Sequence, residues 1–195
     1  QGFPQRICLH EDLISAYVGQ DPIGNRDLIE QALDYMESEV DPRVECYSCL
    51  HNLKLDFATM TCPPEEALQV AQRAANVAEK SSHHLAYIYT TMVELAYQLR
   101  DWENLLEWTT LAESHARKAE RDHRIASNQL WLATYAQHIG NTPQSNKLFQ
   151  QATHRAENYG AFLGMGYYTA LTAYHETGER LHDALQAQEK LLEQL

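Results

Sequence analysis

Three stretches of the sequence place alanine at the same three positions. Ala58–Ala78, Ala96–Ala116 and Ala136–Ala156 each begin and end on alanine and carry a further alanine four residues before the end. The first two stretches are 38 residues apart, and the last two are 40 residues apart. Repetition at this length, with two helices in each repeat, is typical of helical solenoids. We therefore predict an all-α repeat protein whose function lies on the surfaces of its repeats.

The composition favours helices joined by short loops. The 195 residues include only 8 glycines and 6 prolines, whereas alanine, leucine, glutamate and glutamine are all good helix formers. Short connections place consecutive helices side by side and antiparallel. We expect a single domain over residues 1–195, with five helix pairs at about residues 4–40, 41–80, 81–119, 120–159 and 160–195.

Capping and turn residues predict where several helices begin and end. Asp41-Pro42 is a cap followed by proline, so the third helix should begin there and run to about Met60. Asp101 is the predicted cap of the sixth helix. Gly140 and Gly178 should end the seventh and ninth helices, because glycine readily takes the left-handed conformation that follows a helix.

The arrangement within the pairs resembles the tetratricopeptide repeat (TPR), which has small or apolar residues on its first helix, glycine at the turn and alanine on its second helix. One copy of this frame consists of Leu132, Ala133, Ala136, Gly140, Phe149 and Ala152. Another consists of Met92, Val93, Ala96 and Ala112. Arg100 takes the place of the turn glycine in that second copy. The resemblance covers about residues 41–195 and implies a right-handed α-solenoid, or TPR-like superhelix.

Four residues form a pattern of the ligand types that zinc uses. Cys46, Cys49, His51 and Cys62 read C-x2-C-x-H-x10-C, and thiolates with imidazole can hold zinc tetrahedrally. Both Cys46 and Cys49 fall within a predicted helix, however, where thiols commonly pack as small apolar side chains. We therefore predict core thiols and no structural metal.

Other chemical motifs in the sequence are similarly unspecific. Two Glu-x-x-His pairs, Glu120 with His123 and Glu179 with His182, are of the kind used in di-iron bundles, but they fall at polar helix starts. His83-His84 could titrate near neutral pH. No H-E-x-x-H, phosphate-binding glycine loop or G-x-S-x-G motif is present. We predict that the protein is not an enzyme and requires no cofactor.

The charge of the chain limits its partners. The net charge is −12, whereas binding to nucleic acid or to an anionic membrane surface requires a basic face. No apolar run is long enough to span a membrane, and no secretory signal opens the chain. We predict a cytoplasmic protein that contacts neither nucleic acid nor membrane. Because the chain begins at Gln1 without an initiator methionine, we expect it to be a piece of a larger protein.

The repeat frame places one face of the first helices of three pairs on a concave groove. The candidate binding residues on that face are Glu94, Tyr97, Gln98, Thr134, Gln137, His138, Thr172, His175 and Glu176. No lysine or arginine occurs in residues 81–99, 125–146 or 156–179. The groove should therefore repel acidic ligands and prefer a neutral or basic peptide.

The predicted function is a non-catalytic module for protein or peptide interaction within a regulatory or signalling protein. The alternative is a domain that senses a small-molecule effector in a bacterial transcription regulator. The long helices of the repeats favour that alternative, since they are similar to those of ATP-dependent transcription activators of the maltose-regulator type. A neighbouring DNA-binding or ATPase domain in the full-length protein would distinguish the two.

Overall fold

Ten α-helices follow one another in the computed structural model, which describes residues 4–158 and 164–193, and no strand occurs within these residues. This confirms the predicted all-α class. The helices are α1 (Pro4–Gln20), α2 (Arg26–Glu39), α3 (Cys46–Thr61), α4 (Pro64–Val77), α5 (Ser82–Gln98), α6 (Trp102–Lys118), α7 (Asp122–His138), α8 (Thr142–Glu157), α9 (Gly164–Thr177) and α10 (Leu181–Leu192). The predicted junction of the fourth and fifth pairs, near residue 160, lies outside the described residues.

The turns within helix pairs repeat one geometry. Arg100, Gly140 and Glu179 have left-handed φ angles of 58°, 75° and 57°. The residue after each of them donates its N–H to the carbonyl oxygen five residues earlier, at 2.9, 2.8 and 2.9 Å. This 6→1 bond defines the Schellman motif, which satisfies carbonyl groups at a helix end. The motif also occurs at Glu120 (φ 54°), where the Arg121 N–H donates to the Ala116 carbonyl at 2.8 Å, so it ends helices both within and between the predicted pairs.

Both glycines lie at the helix ends that the sequence predicts. Gly140 takes the left-handed conformation that the sequence indicates. Gly178 follows the last residue of α9, but Glu179 is the left-handed residue there. The 6→1 bond of this turn runs from the Arg180 N–H to the His175 carbonyl, so Gly178 is the residue before the left-handed position, and α9 ends at Thr177 as predicted.

The helix caps agree with the sequence in one case and differ in another. The Asp101 carboxylate accepts a bond from the Asn104 backbone N–H at 3.2 Å, as predicted for the cap of α6. The expected start of α3 at Asp41-Pro42 is wrong, because α3 begins at Cys46. The Asp41 carboxylate instead accepts from the Arg43 backbone N–H at 2.9 Å, which closes a local turn that competes with a helix.

Two compact units divide the chain, one ending at His84 and the other beginning at Leu85. In the first unit, α1, α2 and α3 pack on one another and α3 packs on α4. Burial of apolar side chains between these helices supplies most of the driving force for folding. The buried core of α1, α2 and α3 consists of Ile14, Val18, Ile29, Leu33, Met36, Val40, Leu50 and Leu53.

Helix α7 is central to the second unit. It packs on α6, α8 and α9, and α9 packs in turn on α10. The repeated alanines Ala112 in α6 and Ala152 in α8 are both completely buried. Small side chains at these positions permit close helix packing, since interiors leave little room for additional atoms.

Enlarging either alanine should therefore disturb this packing. We expect Ala112→Leu and Ala152→Leu each to lower the free energy of unfolding by about 1 to 3 kcal/mol, because the larger side chain forces its neighbours to shift. Urea denaturation followed by circular dichroism measures the change. Ser114→Leu is the control, since Ser114 is exposed on the same helix as Ala112. Equal stability of both alanine variants and the wild type would show that the repeat frame is misplaced.

Candidate binding face

A tyrosine joins the first and third of the predicted groove helices. The Tyr97 hydroxyl of α5 lies 3.1 Å from Glu176 Oε2 and 3.4 Å from the Ala173 carbonyl oxygen, both in α9. The Tyr97 ring also packs on Trp131 of α7, with 5.4 Å between ring centroids. Side chains from α5, α7 and α9 therefore meet on one face, which we call the A-helix face.

A carboxyl group with altered acidity lies on the same face. Glu94 is partly buried in α5, and a Cβ atom added at Gly166 of α9 would sit 3.8 Å from Glu94 Oε1. Burial raises the pKa of Glu94 to about 7, although the positive charge of Arg124 acts in the opposite direction. Near neutral pH this group can donate or accept a hydrogen bond, depending on whether it carries a proton.

Arg124 extends this polar region to the first turn of α7. Its guanidinium carbon lies 5.0 Å from the centroid of the Tyr87 ring, within the range of a cation–π contact. Arg124 is also the charge that opposes protonation of Glu94. The region therefore combines a carboxyl group, a guanidinium and an aromatic ring from α5 and α7.

The most unusual residue of the face is Asn128, which follows Arg124 by one helical turn. Its side chain is completely buried, and among the described residues neither its amide nitrogen nor its amide oxygen has a hydrogen-bond partner. The same holds for Nε1 of the buried Trp131 and for the hydroxyl of Thr172. Leaving such a group unpaired costs about 1 to 3 kcal/mol. Among the described residues, these polar groups of α7 and α9 are therefore buried without the hydrogen bonds that usually compensate burial.

The remaining predicted groove residues differ in accessibility. Gln98, His138 and Glu176 are exposed, and Gln137 is partly buried beside Gly178. The His138 ring stacks on Trp102, with 3.8 Å between centroids. These side chains form the accessible part of the A-helix face near the ends of α5, α7 and α9.

Two predicted groove residues, Thr134 and His175, are buried. Thr134 has no exposed surface, and its hydroxyl donates to the Leu130 carbonyl at 2.9 Å. His175 is also buried, with Nδ1 at 3.9 Å from Asp183 Oδ2. Burial is the main cause that lowers the pKa of His175, so its ring is neutral at neutral pH. The structure gives Thr134 no atom that could meet a ligand.

Sequence reasoning missed Arg124, Asn128 and Trp131 as members of the face. Arg124 lies just outside the cation-free interval 125–146, so the expectation that no fixed positive charge approaches Glu94 is wrong. The long arginine side chain at the start of α7 influences the carboxyl group of α5. The spacing of 124, 128 and 131 is a signal that could have found them, because residues at i, i+4 and i+7 share one side of a helix.

Metal binding has no candidate in the part of the chain that the structure describes. No group of three or more histidine, cysteine, aspartate or glutamate side chains could hold a metal ion there. Among the same residues, no helix is long and apolar enough to cross a membrane.

Comparisons with known proteins identify no similar protein. No protein-family model, curated protein or solved structure matches the chain. The A-helix face is therefore characterised by its own geometry: aromatic and amide side chains at the ends of the helices, and a buried polar region around Glu94, Arg124 and Asn128.

Proposed function

We propose that the protein is a non-catalytic binding module of TPR-like type, whose A-helix face holds a segment of a partner protein. The second unit would stack its helix pairs as a right-handed solenoid, and the module would serve a larger cytoplasmic regulatory protein. The buried alanines Ala112 and Ala152, which occupy equivalent positions of the sequence frame, support the repeat assignment. TPR-like helix pairs leave the face of their first helices available for ligands, which is where the unpaired polar groups lie.

The observation that carries the proposal is the accessible end of the A-helix face, where the side chains of Gln98, His138 and Glu176 are exposed. A side-chain amide can both donate and accept, so it complements a backbone peptide group of an extended segment. Gln98 is the last residue of α5, and Gln137 and His138 are the last two residues of α7. An extended peptide laid across these helix ends would therefore meet a side-chain amide on each helix.

The charge of the face favours a ligand with a cation. Two carboxyl groups, Glu94 and Glu176, and one guanidinium, that of Arg124, lie on it, and the whole chain carries a net charge of −12. A lysine or arginine of the ligand would meet Glu176 at the exposed end and, once it is ionised, Glu94. Because the pKa of Glu94 is about 7, its contribution should grow between pH 6 and pH 8.

Calorimetric titration with pools of acidic and basic peptides tests the charge preference. We expect the basic pool to bind and the double variant Glu94→Gln, Glu176→Gln to bind about tenfold more weakly, with a flatter dependence on salt. Glu103→Gln is the matched control, because Glu103 is an exposed carboxylate in the first turn of α6. Micromolar binding of an acidic C-terminal peptide, with none of the basic pool, would contradict the proposal.

A small polar effector is the second candidate ligand. The complete burial of Asn128 favours it. A small molecule can be enclosed next to a buried amide, whereas an extended peptide stays at the surface. Asn128→Leu separates the two: it should abolish stabilisation by a small effector in a thermal-shift screen of metabolites. Peptide binding at the exposed residues would lose only part of its affinity.

A further inference from the structure

In the first unit, the imidazole of His84 lies between the thiol of Cys49 and the hydroxyl of Ser81 and contacts both. Cys49 Sγ lies 3.5 Å from His84 Nε2, and Ser81 Oγ lies 2.7 Å from His84 Nδ1. If His84 donates its Nδ1–H to the serine hydroxyl, Nε2 has a lone pair directed at the thiol. A thiol beside a base that a third group orients is the usual arrangement of an activated nucleophile.

The surroundings of His84 keep its imidazole unprotonated at neutral pH. The residue is buried, and burial lowers the pKa of His84, whereas the carboxylates of Glu11 and Glu45 act in the opposite direction. The ring of His83 is a neighbouring titratable group, with 5.4 Å between the centroids of the two rings. At neutral pH the imidazole is therefore available as a base, and the two carboxylates stabilise the imidazolium that it forms.

A second thiol lies three residues before Cys49. Cys46 is the first residue of α3, and residues three apart on a helix are neighbours, about 5 to 6 Å between Cβ atoms. A disulfide needs Cβ atoms about 3.5 to 4.5 Å apart, so a small adjustment of the first turn would suffice. Cys46 and Cys49 are both partly buried thiols, and Cys46 packs at the margin of the core.

We propose that Cys46 and Cys49 form a redox-active dithiol that reacts with low-molecular-weight disulfides, with Cys49 as the attacking thiol and Cys46 as the resolving thiol. His84 accepts the Cys49 proton, and Ser81 positions the imidazole. This site is independent of the proposed ligand-binding function, because all of its groups belong to the first unit.

The reaction balances with a disulfide of the form RSSR as the oxidant. The Cys49 thiolate attacks one sulfur of RSSR, the S–S bond breaks, and the leaving thiolate takes the proton from His84 to give RSH. The Cys46 thiolate then attacks Cys49 Sγ, which forms the internal disulfide. The second RS⁻ leaves and takes the proton that Cys46 lost. Two protein thiols are oxidised, and one RSSR is reduced to two RSH.

Reduced protein exposed to oxidised glutathione, with peptide mapping by mass spectrometry, tests the proposal. We expect the wild type to form an internal disulfide between Cys46 and Cys49, and Cys46→Ser to accumulate glutathione on Cys49. The partly buried Cys62 is the internal reference and should react at least about tenfold more slowly than Cys49 at pH 7. A Cys49 that reacts no faster than Cys62, or the absence of the internal disulfide, would overturn the proposal.

Variants of His84 and Ser81 test the roles of these side chains as the base and as the group that positions it. His84→Gln should slow the reaction of Cys49 about tenfold at pH 7. The difference in rate between this variant and the wild type should become smaller at pH 9, where thiols lose their protons to solvent and a base is not required. A merely structural role would slow the reaction equally at both pH values. If His84→Gln does not fold, Ser81→Ala tests the roles instead. A several-fold slower reaction of Cys49 at pH 7 would support them, and an unchanged rate would refute them.

Discussion

Glu94→Gln should raise the free energy of unfolding by about 2 kcal/mol at pH 8 and leave it almost unchanged at pH 4. The pKa of Glu94 rises from an ordinary 4.5 to about 7 through burial. Between these values the folded protein binds a proton that the unfolded chain does not. The contribution of the protonated Glu94 to the free energy of unfolding is therefore fully present below pH 4.5 and is lost as the pH rises through 7. Glutamine stays neutral and avoids that loss.

Urea denaturation at a series of pH values measures this effect. The control is Glu107→Gln, since Glu107 is an exposed carboxylate of α6 and its replacement should change stability by less than about 0.5 kcal/mol at either pH. An equal change for Glu94→Gln at pH 4 and pH 8 would show that its carboxyl group is not protonated on folding. The same substitution, Glu94→Gln, should lower the affinity for basic peptides. An ionisable group that lowers the stability of the fold is commonly found where it serves binding.

Trp131→Ala should be the most destabilising single change in the second unit, with a loss of about 3 to 5 kcal/mol. Trp131 is among the largest side chains that are fully buried, and it packs on the Tyr97 ring at 5.4 Å. Its removal leaves a large cavity in α7, which is the central helix of this unit. The neighbouring helices can relax into that space only in part.

Trp102→Ala is the matched control for that prediction. Trp102 begins α6 and stacks on the exposed His138 ring, and it is only partly buried. We expect a loss of about 1 kcal/mol from this change. Chemical denaturation followed by far-ultraviolet circular dichroism compares the two variants. A similar loss at both positions would mean that Trp131 does not organise the packing of α7.

The repeat in the sequence predicted the helices because the same residues serve packing and turns in each copy. Ala112 and Ala152 are buried where the shared frame requires a small side chain. Arg100 occupies the position of Gly140 and takes the same left-handed backbone, even though this conformation costs a non-glycine residue about 1 kcal/mol. The Schellman bond there maintains the geometry that the side chain disfavours.

Local competition between hydrogen bonds explains the boundaries that the sequence did not predict. A proline after an aspartate usually begins a helix, but the Asp41 carboxylate binds Arg43 and delays α3 to Cys46. This shift moves Cys46 and Cys49 from the middle of a helix to its first turn. Both thiols still lie within the helix and are partly buried, and Cys46 packs against the core, in partial agreement with the prediction of core thiols.

Contacts between distant residues explain the parts of the two sites that the sequence did not reveal. Cys49 and His84 are 35 residues apart, and the Tyr97–Glu176 bond spans 79 residues. No local pattern predicts such pairs, because they depend on how helices pack. The burial of Asn128 without a partner is likewise a property of the packed helices, and in the sequence this residue is one polar position among many.

Hydrogen exchange with and without a bound basic peptide tests the central claim most directly. Mass spectrometry would follow exchange along the whole chain at pH 8, where Glu94 is mostly ionised. We predict slower exchange in α5, α7 and α9 on binding, centred on the segments around Glu94, Asn128 and Glu176, and no such protection in the double variant Glu94→Gln, Glu176→Gln. Protection confined to α6, α8 and α10, with the A-helix face unchanged, would contradict the account.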